Sequence, residues 1–74
     1  MFAKELRQAG HTRKLSIKKS AEPGSWEVRD VQDDRVLKAA TYTDWHRVER
    51  ALNLFTILAD DLESRGWVSP TPTR

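Results

Sequence analysis

Apolar residues in the second half of the chain recur with the period of an α-helix. From Trp45 to Leu62 they are spaced by alternating steps of three and four positions, so they form one stripe along a helix surface. The stripe contains Trp45, Val48, Leu52, Phe55, Ala59 and Leu62, with Ala51 and Leu58 on its flank. Thr43 is a suitable N-cap for this helix. Gly66 is a suitable C′ residue, and Trp67 then lies where it can contact Leu62 in a Schellman motif.

Between residues 13 and 42, apolar and polar positions alternate, which is the period of a β-strand. Pro23 and Gly24 fit the central positions of a type II turn, and a second short turn is expected around Asp33 and Asp34. Pairing of neighbouring strands predicts a three-stranded antiparallel meander. Its core face is predicted to contain Leu15, Ile17, Trp26, Val28, Leu37 and Ala39. Its opposite face is predicted to contain Lys14, Ser16, Lys18, Glu27, Arg29, Val31, Val36 and Lys38.

The segment before the strands has two interpretations. Phe2, Leu6 and Ala9 have helical spacing, and Gly10 follows where a helix cap would lie, so a short N-terminal helix is one option. A helix of two turns is marginal in isolation, so a frayed end is the other.

The expected fold class is α+β, with two layers: a three-stranded antiparallel sheet packed against one long C-terminal helix. Trp26, Trp45 and Phe55 are its largest predicted core residues. Residues 1–12 form a basic N-terminal segment and residues 13–68 a single β-β-β-α domain. Residues 69–74 contain two Pro and no periodic pattern, so we expect a disordered tail.

Composition restricts the classes of function. A chain of 74 residues allows one domain with a small core. The absence of Cys excludes disulfides and thiolate chemistry and is typical of a reducing compartment. The N-terminus has no apolar segment of signal-peptide length, and no stretch approaches the ~20 apolar residues that span a bilayer. We expect a soluble cytoplasmic protein that does not associate with membranes.

Positive charge is concentrated at the front of the chain. Residues 1–20 contain six Lys or Arg and one Glu, whereas acidic residues slightly outnumber basic ones in the remainder. The predicted open face of the sheet is also net basic, and such a surface is able to contact phosphates. The candidate nucleic-acid contacts are Lys14, Lys18, Arg29, Lys38 and Arg13.

The helix surface indicates a second kind of contact. Arg47, Arg50 and Leu54 share one flank, and Ile57 lies almost opposite the apolar stripe, where we expect it to be exposed. An exposed Ile beside an edge Leu is explained most simply by contact with something else: the basic N-terminal segment folding back, a second copy of the chain or another protein. Leu54, Ile57, Arg47 and Arg50 are therefore the candidate protein-contact surface.

Catalysis and metal binding lack the residues that they need. Neither His11 nor His46 is spaced for a Ser/His/Asp set, and the three Gly are isolated, so the chain has no phosphate loop. His46 and Glu49 lie one helical turn apart, but a stable metal site needs three or four ligands. We expect no enzymatic activity, no cofactor, no metal and no small-molecule ligand.

The predicted element order resembles two groups of domains. With an N-terminal helix it resembles the αβββα architecture of double-stranded-RNA-binding domains, and "GHTRKLSI" is similar to the Gly, His and alternating strand of that family. In that resemblance His46, Arg47 and Arg50 occupy the positions of the family's basic helix start.

Without the helix, the β-β-β-α order is similar to the plant AP2 domain and the arm-binding domain of tyrosine integrases, which implies DNA binding by the sheet. It also resembles small uncharacterised bacterial domains in which a Trp opens the second strand and a Tyr-Thr pair precedes the helix, as Trp26 and "YTD" do.

The leading expectation is a small non-catalytic binding or adaptor module that acts on another protein or on its own copy. The alternative is nucleic-acid binding, to DNA or double-stranded RNA, through the basic sheet face and the N-terminal segment.

Overall fold

A computed structural model describes residues 2–70, which form a four-stranded antiparallel sheet with one helix packed across it. The strands are β1 (Phe2–Gln8), β2 (His11–Lys19), β3 (Trp26–Gln32) and β4 (Arg35–Tyr42), and they follow one another in the sheet as in the chain. The helix α1 (Trp45–Ser64) follows β4 almost directly. The predicted α+β class, antiparallel sheet and long C-terminal helix are confirmed, but the sheet has four strands and not three.

Of the two interpretations of the N-terminal segment, the short helix is wrong, because residues 2–8 form strand β1. Ala9 and Gly10 both have positive φ values, of 52° and 82°, and make a two-residue hairpin turn that places Gln8 opposite His11. A helix this short would gain little by itself, whereas pairing with β2 buries Leu6 completely. Gly10 therefore completes a hairpin turn and does not cap a helix.

The two predicted turns are confirmed. Ser25 N donates to Glu22 O across the Pro23–Gly24 turn, and Gly24 has a φ of 78°, as a type II turn requires. Asp33 and Asp34 have φ values of 51° and 67° and connect β3 to β4 by a two-residue loop.

A β-bulge in β4 changes which residues face the helix. Val31 pairs with Val36, but the preceding Asp30 pairs with Lys38, so Leu37 is the additional residue. Beyond the bulge, Lys38, Ala40 and Tyr42 share the helix side, and Ala39 lies on the open face. The predictions for Leu37, Ala39 and Lys38 are therefore wrong, since one inserted residue reverses the alternation of every later residue.

The core lies between the sheet and the helix. Its buried members are Leu6, Leu15, Ile17, Val28, Val48, Ala51, Phe55, Ala59 and Leu62, with Phe2, Trp26, Tyr42, Leu52, Leu58 and Trp67 packed at its margin. Trp45 differs from the prediction because half of it is exposed, although its ring lies 5.1 Å from that of Trp26. It packs against Trp26 at the margin of the core and is not a core residue.

Both helix ends are capped by specific contacts. Asp44, and not Thr43, is the N-cap, because its Oδ1 accepts from His46 N at 3.0 Å. At the other end Gly66 N donates to Glu63 O and Trp67 N donates to Leu62 O, each at 3.1 Å, which confirms the predicted Schellman motif.

The end of the helix is attached to β1. Gln8 Nε2 donates to Arg65 O at 2.7 Å, and Lys4 forms an ion pair of 3.2 Å with Glu63. The chain then returns beside β1, where Arg7 and Val68 exchange two backbone hydrogen bonds of 2.8 and 3.0 Å. Val68 thus covers part of the outer edge of β1. Of the tail expected to be disordered, residues 71–74 lie outside the described residues.

A carboxylate joins the β3–β4 turn to β2. Asp33 accepts from the Thr12 backbone N–H and pairs with His11 Nδ1, both at 2.8 Å, and Asp33 N donates to Thr12 O. The Thr12 hydrogen bond, followed by the bond to His11, lowers the pKa of Asp33.

Replacement of Leu6 tests whether β1 is integral to the fold. Leu6→Ala should lower the free energy of unfolding by roughly 2–5 kcal/mol, because it leaves a cavity in the core. Leu37→Ala, at a position that is 53% exposed, is the matched control and should change stability by less than about 1 kcal/mol. Urea denaturation measures both, and equal effects would contradict a structural role for β1.

Asp33 should make stability depend on acid pH. Its pKa is lower in the folded than in the unfolded chain, so its contribution is fully present above the unfolded value of about 3.9 and is lost as pH falls through the folded pKa. Asp33→Asn should remove this part of the pH dependence. Urea titrations between pH 2 and 6 would show it as a flatter profile for the variant, and superimposable profiles would exclude the effect.

Candidate binding surfaces

The outer edge of β4 is not covered by any other described backbone. β4 is the last strand of the sheet, and within residues 2–70 no backbone hydrogen bond is made along its outer side. Six of its eight residues are exposed, including Val36 and Leu37. An edge strand in this state presents unpaired N–H and C=O groups that another strand is able to bind.

A groove runs between this edge and the flank of the helix. It is lined by Lys38 and Tyr42 from β4 and by Arg47, Arg50, Ala51 and Leu54 from α1. The register places the two β4 side chains on the helix side of the sheet, and the helical repeat places the α1 residues on the facing flank. We call this surface the β4–α1 groove.

The β4–α1 groove is strongly basic. Lys38, Arg47 and Arg50 supply three cations, and no acidic residue within residues 2–70 lines it. None of the three forms an ion pair with another described residue. Asp30, the cross-strand neighbour of Lys38, already has both carboxylate oxygens bound by Arg13. Within the described part of the chain, the three positive charges are therefore not neutralised by an ion pair.

Three of the four candidate protein-contact residues meet here. Arg47, Arg50 and Leu54 line the groove, and Leu54 is 54% exposed. The predicted exposure of Ile57 is confirmed at 66%, but it projects from the outer side of the helix, about 60° around the axis from Leu54. Ile57 is therefore a neighbour of the groove and does not line it.

The open face of the sheet keeps three of the five candidate nucleic-acid contacts. The register places Lys14, Lys18 and Arg29 on the side away from the helix. Lys18 is 3.7 Å from Glu27, and the Nε of Arg29 is buried without a hydrogen-bond partner among residues 2–70. On the same face Arg7 pairs with Glu5 at 3.0 Å, so the charge of this surface is partly neutralised.

The other two candidates lie elsewhere. Lys38 faces the helix side and lines the groove, as the bulge requires. Arg13 also lies on the helix side, where its Nε and a terminal nitrogen donate to the two oxygens of Asp30 at 2.7 and 2.8 Å. That hydrogen-bonded pair is largely buried and raises the pKa of Arg13. Arg13 holds the sheet together and is not placed to contact a phosphate.

Residues for other chemistry are dispersed. No group of three or more His, Asp or Glu within residues 2–70 is arranged to hold a metal ion. His11 lies in the pair with Asp33 at one end of the sheet, and His46 is exposed at the first turn of the helix. The helix is not apolar enough along its length to cross a membrane.

Searches of protein-family models, of curated proteins and of solved structures found no match to this chain. Its described element order is β-β-β-β-α, which has a strand where the double-stranded-RNA-binding domains have their first helix. The order from β2 onward keeps the β-β-β-α sequence that the other predicted resemblances rest on.

Sequence reasoning did not identify Tyr42 or the backbone of β4 as parts of a site. The edge position of β4 could have been inferred from the meander itself, since its last strand has no later strand to pair with. The side of the sheet on which Lys38 and Tyr42 lie could not, because it depends on the bulge.

Proposed function

We propose that the protein is a small, non-catalytic, cytoplasmic binding module that takes up a segment of another protein along the β4 edge and the β4–α1 groove. The observation that carries this proposal is an uncovered edge strand beside a groove with three cations that lack ion-pair partners within the described chain. Backbone groups would supply affinity and the groove would supply selectivity, as in other complexes formed by strand addition.

The exposed apolar residues support the same surface. Leu37 lies on the edge strand and Leu54 in the groove, and each is more than half exposed. Apolar contacts with a partner would remove both side chains from water, which stabilises a complex in proportion to the area buried. Ile57 extends the apolar surface around the helix and is the residue through which a second copy would associate.

Site-specific photo-cross-linking in cells that make the protein tests this proposal. A benzophenone amino acid at position 37 or at position 54 should cross-link to the same partner protein, because both positions border the proposed site. Ala21, exposed in the β2–β3 turn, is the matched control position and should give little product.

The products also separate the alternatives. Cross-links between two copies, together with a dimer in sedimentation that Ile57→Asp abolishes, would identify self-association. Equal labelling at positions 21, 37 and 54, or no discrete product at 37 and 54, would contradict the proposal.

Nucleic-acid binding is the second candidate, and the grouping of Lys14, Lys18 and Arg29 on the open face favours it. Gel-shift titrations with duplex DNA and RNA at two salt concentrations should then show an affinity that falls steeply with salt, because phosphate contacts release counterions. The double change Lys14→Glu and Lys18→Glu should remove the shift, whereas Arg35→Glu with Arg65→Glu, an equal charge change elsewhere, should preserve more of it. The absence of a salt-sensitive shift at micromolar protein would exclude this function.

A further inference from the structure

The backbone of β4 has a defined pattern of free groups. In an antiparallel sheet the N–H and C=O of successive residues point alternately to the two sides. The bond from Asp33 N to Thr12 O fixes the alternation on β2 and, through the pairing, on β3 and β4. The backbone groups of Val28 and Ala40 then point toward each other, and those of Ala39 and Thr41 point outward. The same alternation turns Arg7 outward on β1, where it does exchange hydrogen bonds with Val68. An added strand beside β4 would therefore bond to Ala39 and Thr41.

Side chains along this part of β4 leave room for a neighbour. Residues 38–42 read Lys-Ala-Ala-Thr-Tyr, lie beyond the bulge and keep regular pairing with β3. Ala39, Ala40 and Thr41 are small, so they do not prevent the approach of another backbone. A strand added at this position would become a regular fifth strand of the sheet.

The charges at this edge have one sign. Lys38, Arg47 and Arg50 line the groove, and Arg35 at the start of β4 is also exposed and forms no ion pair with a described residue. Alternate side chains of an added strand would lie on the helix side, next to these cations. Carboxylates at those positions would form charge-assisted hydrogen bonds with the two Arg.

A second copy of the chain fits this edge poorly. Antiparallel pairing of β4 with its copy would place the two grooves side by side and bring six cations together without an acidic lining residue from either. Like charges at such a contact oppose association.

We propose that the segment bound is an extended acidic peptide of another protein. It adds to β4 as a fifth strand, with its backbone bonded to Ala39 and Thr41 and carboxylates at alternate positions bound by Lys38, Arg47 and Arg50. This inference rests on the proposed function and specifies the chemistry of its partner.

Fluorescence anisotropy with defined peptides tests it. The probe is a labelled octapeptide of alternating Glu and Val, and the controls are the Lys-Val peptide of the same pattern and a Glu-Val peptide N-methylated on alternate amides. The Glu-Val probe should bind about tenfold or more tightly than the Lys-Val peptide, since three ion pairs are exchanged for three repulsions. N-methylation on the amides that face β4 should weaken binding by a similar factor of about ten, because it removes the strand hydrogen bonds.

Protein variants supply the matching test. Arg47→Glu with Arg50→Glu should reverse the preference toward the Lys-Val peptide. Ala39→Pro should abolish binding of the probe without unfolding the sheet, because the N–H it removes points away from β3. Circular dichroism confirms the fold of each variant, and the N-methylated peptide tests strand addition without any change to the protein.

Three results would overturn the inference. They are equal affinity for the Glu-Val and Lys-Val peptides, no effect of the double Arg change, and tighter binding of a single-stranded oligonucleotide that is insensitive to Ala39→Pro, which would make the groove a phosphate site. If cross-linking at positions 37 and 54 still yields a partner protein while the Glu-Val probe fails, the binding module stands and its acidic specificity is wrong.

Discussion

Attachment of the helix end to β1 is the contact on which the rest of the arrangement depends. The helix is 20 residues long and leaves β4 after a short connection, so its direction determines which strand its C-terminus reaches. The Lys4–Glu63 pair, the bond from Gln8 to Arg65 O and the bridge between Arg7 and Val68 bring that end to β1. Because the chain returns to β1, it covers one edge of the sheet in part and leaves the opposite edge uncovered. The free surface of β4 follows from this asymmetry.

The distribution of ion pairs also distinguishes the residues beside β4 from the rest of the molecule. Charges that hold the fold together are paired: Arg13 with Asp30 within the sheet, Lys4 with Glu63 between layers, and the hairpin contacts of Asp33. The cations beside β4 form no ion pair with any residue from 2 to 70. No acidic residue within residues 2–70 lines the groove, so its charge has one sign, whereas the open face carries mixed charges.

Local rules were enough to predict the elements whose structure depends on local residues. Residue spacing and the residues that determine φ predict the helix, its Schellman motif at Gly66 and the Pro23–Gly24 turn. Strand β1 was missed because Phe2 and Leu6 are four residues apart, a spacing that fits both a helix and one face of a strand. Only pairing with β2, a tertiary contact, selects the strand. The residues of the segment alone do not distinguish a helix from a strand.

The sequence-based predictions that differ from the structure at the candidate surfaces also depend on tertiary contacts. The side on which Lys38 lies depends on one extra residue in β4, and nothing in the alternation of the sequence marks where a bulge will occur. The sequence predicts Arg13 as a nucleic-acid contact and gives no sign of its ion pair, because the partner, Asp30, is distant in the chain and belongs to the neighbouring strand. By contrast, Arg47, Arg50 and Leu54 were grouped correctly, since helical periodicity alone determines that they share a flank.

The bridge between Arg7 and Val68 also has a consequence for the order of folding. Each strand pairs with its neighbour in the chain, so the sheet forms by closing short loops, and such contacts form quickly. The bridge instead joins the first strand to Val68, which follows the helix and therefore leaves the ribosome after it. Until Val68 emerges, both edges of the sheet are exposed on the nascent chain. Strand β1 is therefore open to wrong strand pairing for as long as the helix is being synthesised.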